Sequence, residues 1–245
     1  MGDAVVHFEV GAADDGPLVR FYQDMFGWRV TPTPGLNHSA VDTVAGTGVN
    51  GGIGKSSTGE PWSTFYVEVA DPQATLDKAV SLGGEIVMPV IELPVVTLAM
   101  FNDPDGLLIG LFKAQPRPES APGGPSAGEG AAVDWFEVLG SDAAATQAFY
   151  REVFGWKVDA SDTPSYAMVD TQAGRGIPGG IGGGENPEAR WATVYAHVPS
   201  IEQALERAEQ LGGTRVYGPL DLGGTRTGLF RDPAGNPFGV YQLVP

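Results

Sequence analysis

Residues 5–30 read VVHFEVGAADDGPLVRFYQDMFGWRV, and residues 133–158 read VDWFEVLGSDAAATQAFYREVFGWKV. The two stretches share F-E-V, then F-Y, then F-G-W followed by a basic residue and valine, without a gap. Further matches continue along the chain, since GGIG at 51–54 returns at 179–182. A repeat of this length is much longer than a solenoid unit, so each copy is predicted to be a domain.

The stretch between the two copies differs in composition from both. Residues 114–130 contain four prolines and four glycines but no large apolar side chain. Nothing in this stretch can be buried in a core, so it is predicted to be a partly stiff linker. The linker separates a first domain at residues 2–113 from a second domain at residues 131–244.

Each domain shows two successive β-α-β-β-β patterns. The stretch after the first strand has apolar residues at helical spacing, which are Leu18, Phe21, Tyr22, Met25 and Phe26. Asp71 and Ser200 precede the second helix of each domain and are typical N-caps. The tetrads D-P-D-G at 103–106 and D-P-A-G at 232–235 are typical of type I turns. This order of elements predicts an α+β fold.

Composition excludes several classes of partner. The net charge is −16, and no lysine and arginine cluster is present, so nucleic acid is not an expected partner. No apolar run approaches the ~20 residues of a membrane-spanning helix, and the N-terminus lacks a signal-peptide pattern, so no membrane partner is expected. The chain has no cysteine, which excludes disulfides and thiolate chemistry and predicts a cytoplasmic location.

The F-Y…F-G-W helix, the paired β-α-β-β-β units and the D-P-x-G turn before the last strand together resemble the vicinal oxygen chelate superfamily. Its members include glyoxalase I, extradiol dioxygenases and the bleomycin-resistance and fosfomycin-resistance proteins. The sequence is most similar to the tandem two-domain glyoxalase-like proteins of actinobacteria. The resemblance implies that the two units of each domain form a cup-shaped, mostly antiparallel sheet with helices outside. It covers both domains and leaves out the linker.

Enzymes of this superfamily hold a divalent metal in the cup, so the resemblance also implies where ligands would lie. The implied positions are Val5, Gly52-Ile53, Thr64 and Gly110 in the first domain and Val133, Gly180-Ile181, Thr193 and Gly239 in the second. None of these residues offers an imidazole or a carboxylate, and a first-row cation needs three or four such ligands. The sequence therefore predicts that the metal site is degenerate in both copies and that no cofactor is bound.

The residues predicted to line the cups are mainly aromatic, with a few ionisable groups. Glu9 and Glu137 are the candidate catalytic residues, although each is also explained as a structural carboxylate that binds backbone N–H groups. The candidate ligand-binding residues are His7, Tyr66, Glu68, Phe112, Trp135, Tyr195, His197 and Tyr241. His38 stands in a polar stretch and is predicted to be a surface residue without a partner.

In dimeric glyoxalase I each cup is shared between two subunits, and a fused dimer would pair its halves across the repeats. His7, Glu9 and His197 would then line one cup, and Tyr66, Glu68, Trp135 and Glu137 the other. A divalent metal is expected only if its ligands are displaced to His7, Glu9 and His197. The chain would act as a monomer with pseudo-dimeric domains or as a homodimer.

The sequence leaves three functions open, all with an apolar or cationic small molecule as the partner. The first is a metal-independent enzyme of lyase, isomerase or hydroxylase type. The second is a protein that sequesters a drug or metabolite without chemistry. The third is a metal-dependent glyoxalase or dioxygenase with displaced ligands. Whether the chain is an enzyme at all stays open at this point.

Overall fold

The structure of the protein, a computed structural model, describes residues 2–93, 96–114, 124–161, 163–184, 186 and 189–244. The first repeat contains β1 (Ala4–Ala12), α1 (Gly16–Phe26), β2 (Arg29–Pro32), β3 (His38–Asp42), β4 (Asn50–Lys55), β5 (Trp62–Glu68), α2 (Pro72–Ser81), β6 (Glu85–Leu93), β7 (Val96–Asn102) and β8 (Leu108–Ala114). The second repeat contains β9 (Val133–Gly140), α3 (Ala143–Phe154), β10 (Lys157–Asp159), β11 (Tyr166–Asp170), β12 (Gly179–Gly183), β13 (Trp191–His197), α4 (Ile201–Gln210), β14 (Thr214–Asp221), β15 (Thr225–Arg231) and β16 (Pro237–Leu243). Both repeats therefore have the predicted order of elements.

Within the described ranges, these strands form two eight-stranded sheets with the helices outside. The strand orders are β2-β3-β4-β1-β5-β8-β7-β6 and β10-β11-β12-β9-β13-β16-β15-β14. Neighbouring strands that are joined by a short connection are antiparallel. The pair β1 and β4 is parallel, and so is the pair β5 and β8; the matching pairs of the second repeat are parallel as well. The predicted α+β fold with mostly antiparallel sheets is confirmed.

The compact units of the structure do not coincide with the sequence repeats. Unit 1 contains residues 1–6, 64–123 and 135–192, and unit 2 contains residues 7–63, 124–134 and 193–245. Each unit thus combines one half of the first repeat with one half of the second. His7, Glu9 and His197 fall in one unit and Tyr66, Glu68, Trp135 and Glu137 in the other, although β1 and β13 belong to different sheets and β1 is the neighbour of β5.

The helices begin and end where the local sequence predicts. Pro17 occupies the first turn of α1, and Gly27 ends this helix in the left-handed conformation with φ of 71°. The Asp71 carboxylate accepts hydrogen bonds from the backbone N–H groups of Gln73 and Ala74 at the start of α2. The Ser200 hydroxyl accepts one from Gln203 at the start of α4. These caps satisfy N–H groups that have no partner within the helix.

The repeated aromatic motif builds one core in each unit. In unit 2 the rings of Tyr22 and Trp28 stack with centroids 5.6 Å apart, and the Trp28 indole donates to the Ala131 carbonyl at 2.8 Å. In unit 1 the rings of Tyr150 and Trp156 stack at 6.0 Å. The repeated tryptophans Trp28 and Trp156 are therefore packing anchors of these cores.

The two D-P-x-G tetrads are turns, as predicted, and each also anchors a helix. The carboxylate of Asp103 accepts bonds from the backbone N–H groups of Asp105 and Leu107 and from the hydroxyl of Tyr150 on α3. Tyr22 on α1 makes the same bond to Asp232 at 3.1 Å. Burial raises the pKa of Asp103 to about 6, because the hydrogen bonds it accepts only partly offset its desolvation.

Part of the predicted linker is held against the first repeat. The backbone N–H of Ser126 donates to the Asp42 carboxylate at 2.9 Å, and that of Gly46 donates to the Ser126 carbonyl at 2.9 Å. Residues 115–123 of the predicted linker lie outside the described residues. Among the described residues, every helix is too short or too polar to cross a bilayer.

Candidate functional site

The strands of unit 2 present one face to the aromatic core and the opposite face away from it. Phe8 on β1 and Phe238 on β16 meet in the core with ring centroids 6.0 Å apart. Side chains alternate along a strand, so His7 and Glu9 on β1 and Tyr241 on β16 all point away from this core. Because β1 and β16 belong to different sheets, these side chains lie on two separate faces. We call the face on β1 the inner face of unit 2, defined by His7, Glu9 and His38, which reaches it from β3; Tyr195, His197 and Tyr241 lie on the other sheet.

Glu9 lies on this face between two histidines. Its Oε1 is 3.0 Å from Nε2 of His38 and 3.8 Å from Nε2 of His7. The other ring nitrogen of His38, Nδ1, is 3.2 Å from the hydroxyl of Thr33, so both nitrogens of this imidazole have partners. The three side chains keep some contact with solvent, with exposed fractions of 13 % for Glu9 and 27 % for each histidine.

The charge of Glu9 is stabilised by its neighbours. Burial on its own would raise the pKa of this carboxyl, but the hydrogen bond from His38 and the electrostatic attraction of His38 and of the nearby His7 lower the pKa to about 2. The carboxylate is therefore ionised throughout the neutral pH range. An ionised acceptor beside two imidazoles makes this part of the face strongly polar.

His38 reaches Glu9 by crossing a strand. It starts β3, Glu9 is on β1, and β4 lies between these two strands in the sheet. The crossing takes place at Gly52, which is paired with Glu9, and a Cβ at this position would lie 2.2 Å from Nε2 of His38. The prediction that His38 is a surface residue without a partner is wrong, because the glycine in β4 opens a path that the polar flanking sequence does not reveal.

Glu137 in unit 1 has the same backbone setting but different partners. Its Oε1 accepts from the Tyr166 hydroxyl at 2.9 Å, and its Oε2 accepts from the Trp191 indole at 2.7 Å. Tyr166 holds the position of His38 in the second repeat, and it crosses β12 at Gly180, where a Cβ would lie 2.0 Å from its hydroxyl. Unit 1 therefore encloses its carboxylate with a phenol and an indole where unit 2 uses imidazoles.

These contacts explain the repeated GGIG motif. The first glycine of each motif lies under a core ring, since a Cβ at Gly51 would overlap Phe8 and one at Gly179 would overlap Phe136. The second glycine, at position 52 or 180, admits the side chain that crosses to the glutamate. Both glycines are therefore required by close approach of a side chain rather than by a turn.

The positions that the family uses for a metal do not suit one here. The ring of Tyr66 covers Gly110, and the ring of Tyr195 covers Gly239, so a side chain at either glycine would overlap the tyrosine. The hydroxyls of Thr64 and Thr193 donate to the backbone carbonyls of Leu108 and Pro237. These residues supply neither the donors nor the space for the family's metal.

The other predicted ligand-binding residues of unit 2 form two hydrogen-bonded groups. The hydroxyls of Tyr195 and Tyr217 are 2.9 Å apart. The Tyr241 hydroxyl donates to the Asp134 carboxylate at 2.9 Å, and burial raises the pKa of both groups. The ring of His197 is exposed and stacks on Tyr241 with centroids 5.0 Å apart. Sequence reasoning missed Tyr217 and Asp134.

The corresponding residues of unit 1 are less polar or are paired with each other. The Tyr66 hydroxyl lies 3.9 Å from the sulfur of Met100. Glu68 forms a close ion pair with Arg175. Trp135 and Phe112 are half-buried on β9 and β8. Unit 1 thus pairs a tyrosine with a thioether and a glutamate with an arginine, where unit 2 has paired hydroxyls and a stacked imidazole.

A shallow recess of about 270 Å³ lies elsewhere in unit 2. It is lined mainly by alanine and proline, including Ala12, Pro17 and Pro233, with Asp14 as the charged group. None of the candidate residues of the inner face lines it. This recess offers little that fixes the orientation of a ligand.

Sequence comparison places both halves of the chain among related domains. Residues 4–111 match the family model described as Glyoxalase/Bleomycin resistance protein/Dioxygenase superfamily, and residues 135–241 match the one described as Glyoxalase-like domain. The anthracycline biosynthesis protein DauV of Streptomyces sp. (strain C5) is 28% identical over 262 residues, with 96% of this chain and 92% of that protein covered.

Comparison with solved structures gives the same fold at lower identity. The 2,3-dioxygenase LapB from Pseudomonas sp. KL28 superposes with a TM-score of 0.64 and 18% identity, covering 99% of this chain and 93% of that one. The Mn(II)-bound glyoxalase from Novosphingobium aromaticivorans superposes with a TM-score of 0.64 and 16% identity, covering 98% and 83%. At these identities the similarity concerns the fold alone.

Proposed function

Because the chain belongs to the glyoxalase/bleomycin resistance protein/dioxygenase superfamily, we propose that it is an enzyme that binds one small aromatic molecule on the inner face of unit 2. The observation that carries this proposal is the difference between the two glutamates. Glu9 lies beside two imidazoles, whereas Glu137 is bonded by a phenol and an indole. The backbone is arranged in the same way around both glutamates, so we attribute the difference between their partners to function.

The partners of the two glutamates differ in how much they contribute to the stability of the fold. Glu137 accepts hydrogen bonds from two neutral donors, the Tyr166 hydroxyl and the Trp191 indole. Placing imidazoles around Glu9 brings further ionisable groups into a partly buried site, and a buried ion pair stabilises a fold poorly because desolvation offsets the attraction. Ionisable groups that the scaffold does not need are typical of functional sites. Unit 2 is therefore the proposed working unit, and unit 1 the structural one.

The chemistry of the inner face favours a planar aromatic ligand with hydroxyl or carbonyl substituents. The imidazole rings of His7 and His38 offer flat surfaces with polar ends beside the Glu9 carboxylate. The net charge of −16 favours a neutral or cationic molecule over an anion. A relative named for anthracycline biosynthesis supports the same class, because anthracyclines are planar polycyclic aromatics.

The reaction that suits these groups is of lyase or isomerase type. Imidazole and carboxylate side chains are the usual groups of general acid–base chemistry. A reaction that only rearranges or cleaves the ligand consumes no oxidant. The alternative, a protein that sequesters the same ligand, shares the binding site and differs in the fate of the ligand.

Fluorescence titration with a fluorescent anthracycline, and with a panel of aromatic ketones and phenols, tests the binding site. We expect one molecule per chain. His38→Phe should weaken binding by about threefold to tenfold, because it removes one imidazole from the inner face of unit 2. Tyr166→Phe, the matched change in unit 1, should leave the affinity unchanged. Equal weakening by both variants, or no binding by any compound of the panel, would contradict the proposal.

Liquid chromatography with mass spectrometry of the bound compound after prolonged incubation tests the enzyme claim, because an isomer keeps its mass and is separated by retention time. Conversion by the wild type that is lost in His7→Gln is expected, since this change removes one imidazole of the inner face while Glu9 remains. Recovery of the compound unchanged from a saturated complex would instead identify a sequestering protein.

A further inference from the structure

We infer that His7, Glu9 and His38 bind one first-row divalent cation, such as Zn²⁺, at a place other than the family's metal position. One ligand atom from each of the three side chains lies within 4.8 Å of the other two. Among the residues that the structure describes, this is the one group of three His, Cys, Asp or Glu side chains with that arrangement. The inference concerns a cation and so goes beyond the aromatic ligand proposed above.

The spacing of the donors fits a cation after small movements. With bonds of about 2.0–2.1 Å, neighbouring ligand atoms of a tetrahedral zinc site are roughly 3.4 Å apart. The observed separations from Glu9 Oε1, 3.0 Å to His38 and 3.8 Å to His7, lie on either side of this value. Two imidazoles and a carboxylate leave a fourth position for water or a ligand oxygen, as in catalytic zinc sites.

The surroundings of the three side chains also suit a cation. The Thr33 hydroxyl at Nδ1 of His38 fixes the ring so that Nε2 points at Glu9, and such outer hydrogen bonds usually orient ligating histidines. Gly52 keeps the path of His38 open. A cation would replace the hydrogen bond between His38 and Glu9 without displacing a packed side chain. Once bound, it would polarise an oxygen of the aromatic ligand.

At the matching positions, unit 1 of the same chain lacks two of the three ligands. Trp135 and Tyr166 stand where His7 and His38 stand in unit 2, so Glu137 is the single ligand of the three that remains. One carboxylate does not compete with water for a first-row cation. The expected stoichiometry is therefore one cation per chain rather than two.

Cobalt titration of the full chain, without an organic ligand, tests this inference apart from the proposed function. We expect one Co²⁺ per chain in the presence of excess Mg²⁺, with the visible absorption of a site that contains nitrogen ligands. His38→Tyr, which copies the residue of unit 1, and His7→Gln should each weaken binding by more than about tenfold. Circular dichroism checks that both variants fold.

The third histidine of the chain provides the control. His197→Ala changes an exposed imidazole of the same unit and should bind Co²⁺ as the wild type does. Absence of stoichiometric Co²⁺ in the wild type, or its retention in both His38→Tyr and His7→Gln, would overturn the inference. Loss of Co²⁺ in His197→Ala would overturn it as well, because the ligand set would then include His197.

Discussion

Replacing Gly52 by alanine should break the contact between His38 and Glu9 while leaving the strand intact. The new Cβ would lie 2.2 Å from His38 Nε2 and 3.1 Å from both Cγ and Oε1 of Glu9. Gly52 is in ordinary strand conformation, so alanine strains no backbone angle there. His38 is a flexible and partly exposed side chain and can move into solvent. The main loss is therefore one hydrogen bond to a charged group.

The expected destabilisation follows from two opposing effects. A hydrogen bond to an ionised partner contributes about 1.5–3 kcal/mol. Alanine in place of glycine within a strand recovers about 0.5–1 kcal/mol of backbone entropy. The difference is about 1–2 kcal/mol, which lowers the Tm of a chain of this length by roughly 2–8 °C.

Urea denaturation of Gly52→Ala in two backgrounds separates this cause from general strain. In the wild-type background the variant should lose about 1–2 kcal/mol, the difference derived above. In a His38→Ala background the same change should be neutral or stabilise by up to about 1 kcal/mol, because only the 3.1 Å contacts with Glu9 then remain and a shift of a few tenths of an ångström relieves them. Gly124→Ala, which places a Cβ in open space, should change the free energy of unfolding by less than about 0.5 kcal/mol. Equal destabilisation in both backgrounds would refute the crossing argument.

Three further changes test the scaffold. Asp103→Asn should gain stability relative to the wild type as pH rises from about 4 to 6 and hold that gain above pH 6. The pKa of Asp103 is raised to about 6 in the fold, so its protonation stabilises the wild type at low pH and this contribution is lost as pH rises to about 6. Urea midpoints of the two proteins that shift in parallel across this range would contradict the prediction. Asp71→Ala should cost about 1 kcal/mol in thermal unfolding by removing the N-cap of α2, and an unchanged Tm would count against that role. Gly27→Ala should cost about 1–2 kcal/mol, since φ is 71° and its Cβ meets no atom that packs against it.

The fold follows from the sequence because its signals are local. Proline and glycine mark the ends of α1, Asp71 and Ser200 cap the second helices, and the D-P-x-G tetrads form turns. Each of these features acts within a few residues and needs no knowledge of the partner strand. The repeat then assigns the same plan to both halves. What the local signals cannot give is which halves combine into a compact unit, and this depends on contacts far apart in the chain.

The candidate site follows only in part, for the same reason. Glu9 and His7 are recognisable from strand alternation, but His38 lies on another strand and reaches Glu9 across β4. One signal in the sequence does point to it. A glycine inside a strand often marks the close approach of another group, and Gly52 recurs as Gly180 opposite the same glutamate. No comparable pattern in the sequence points to Tyr217 or Asp134.

Under the proposed function, the duplication gives one carboxylate a structural role and the other a chemical role. Both glutamates are fixed at the same strand position, and both are reached by a side chain that crosses at a glycine. A phenol at that crossing donates one hydrogen bond and stays neutral in the physiological range, so the carboxylate beside it is a structural acceptor. An imidazole at the same crossing is itself ionisable, and one of its ring nitrogens can bind a metal. The exchange of His38 for Tyr166, together with that of His7 for Trp135, is therefore enough to separate a working unit from a structural one on a shared scaffold.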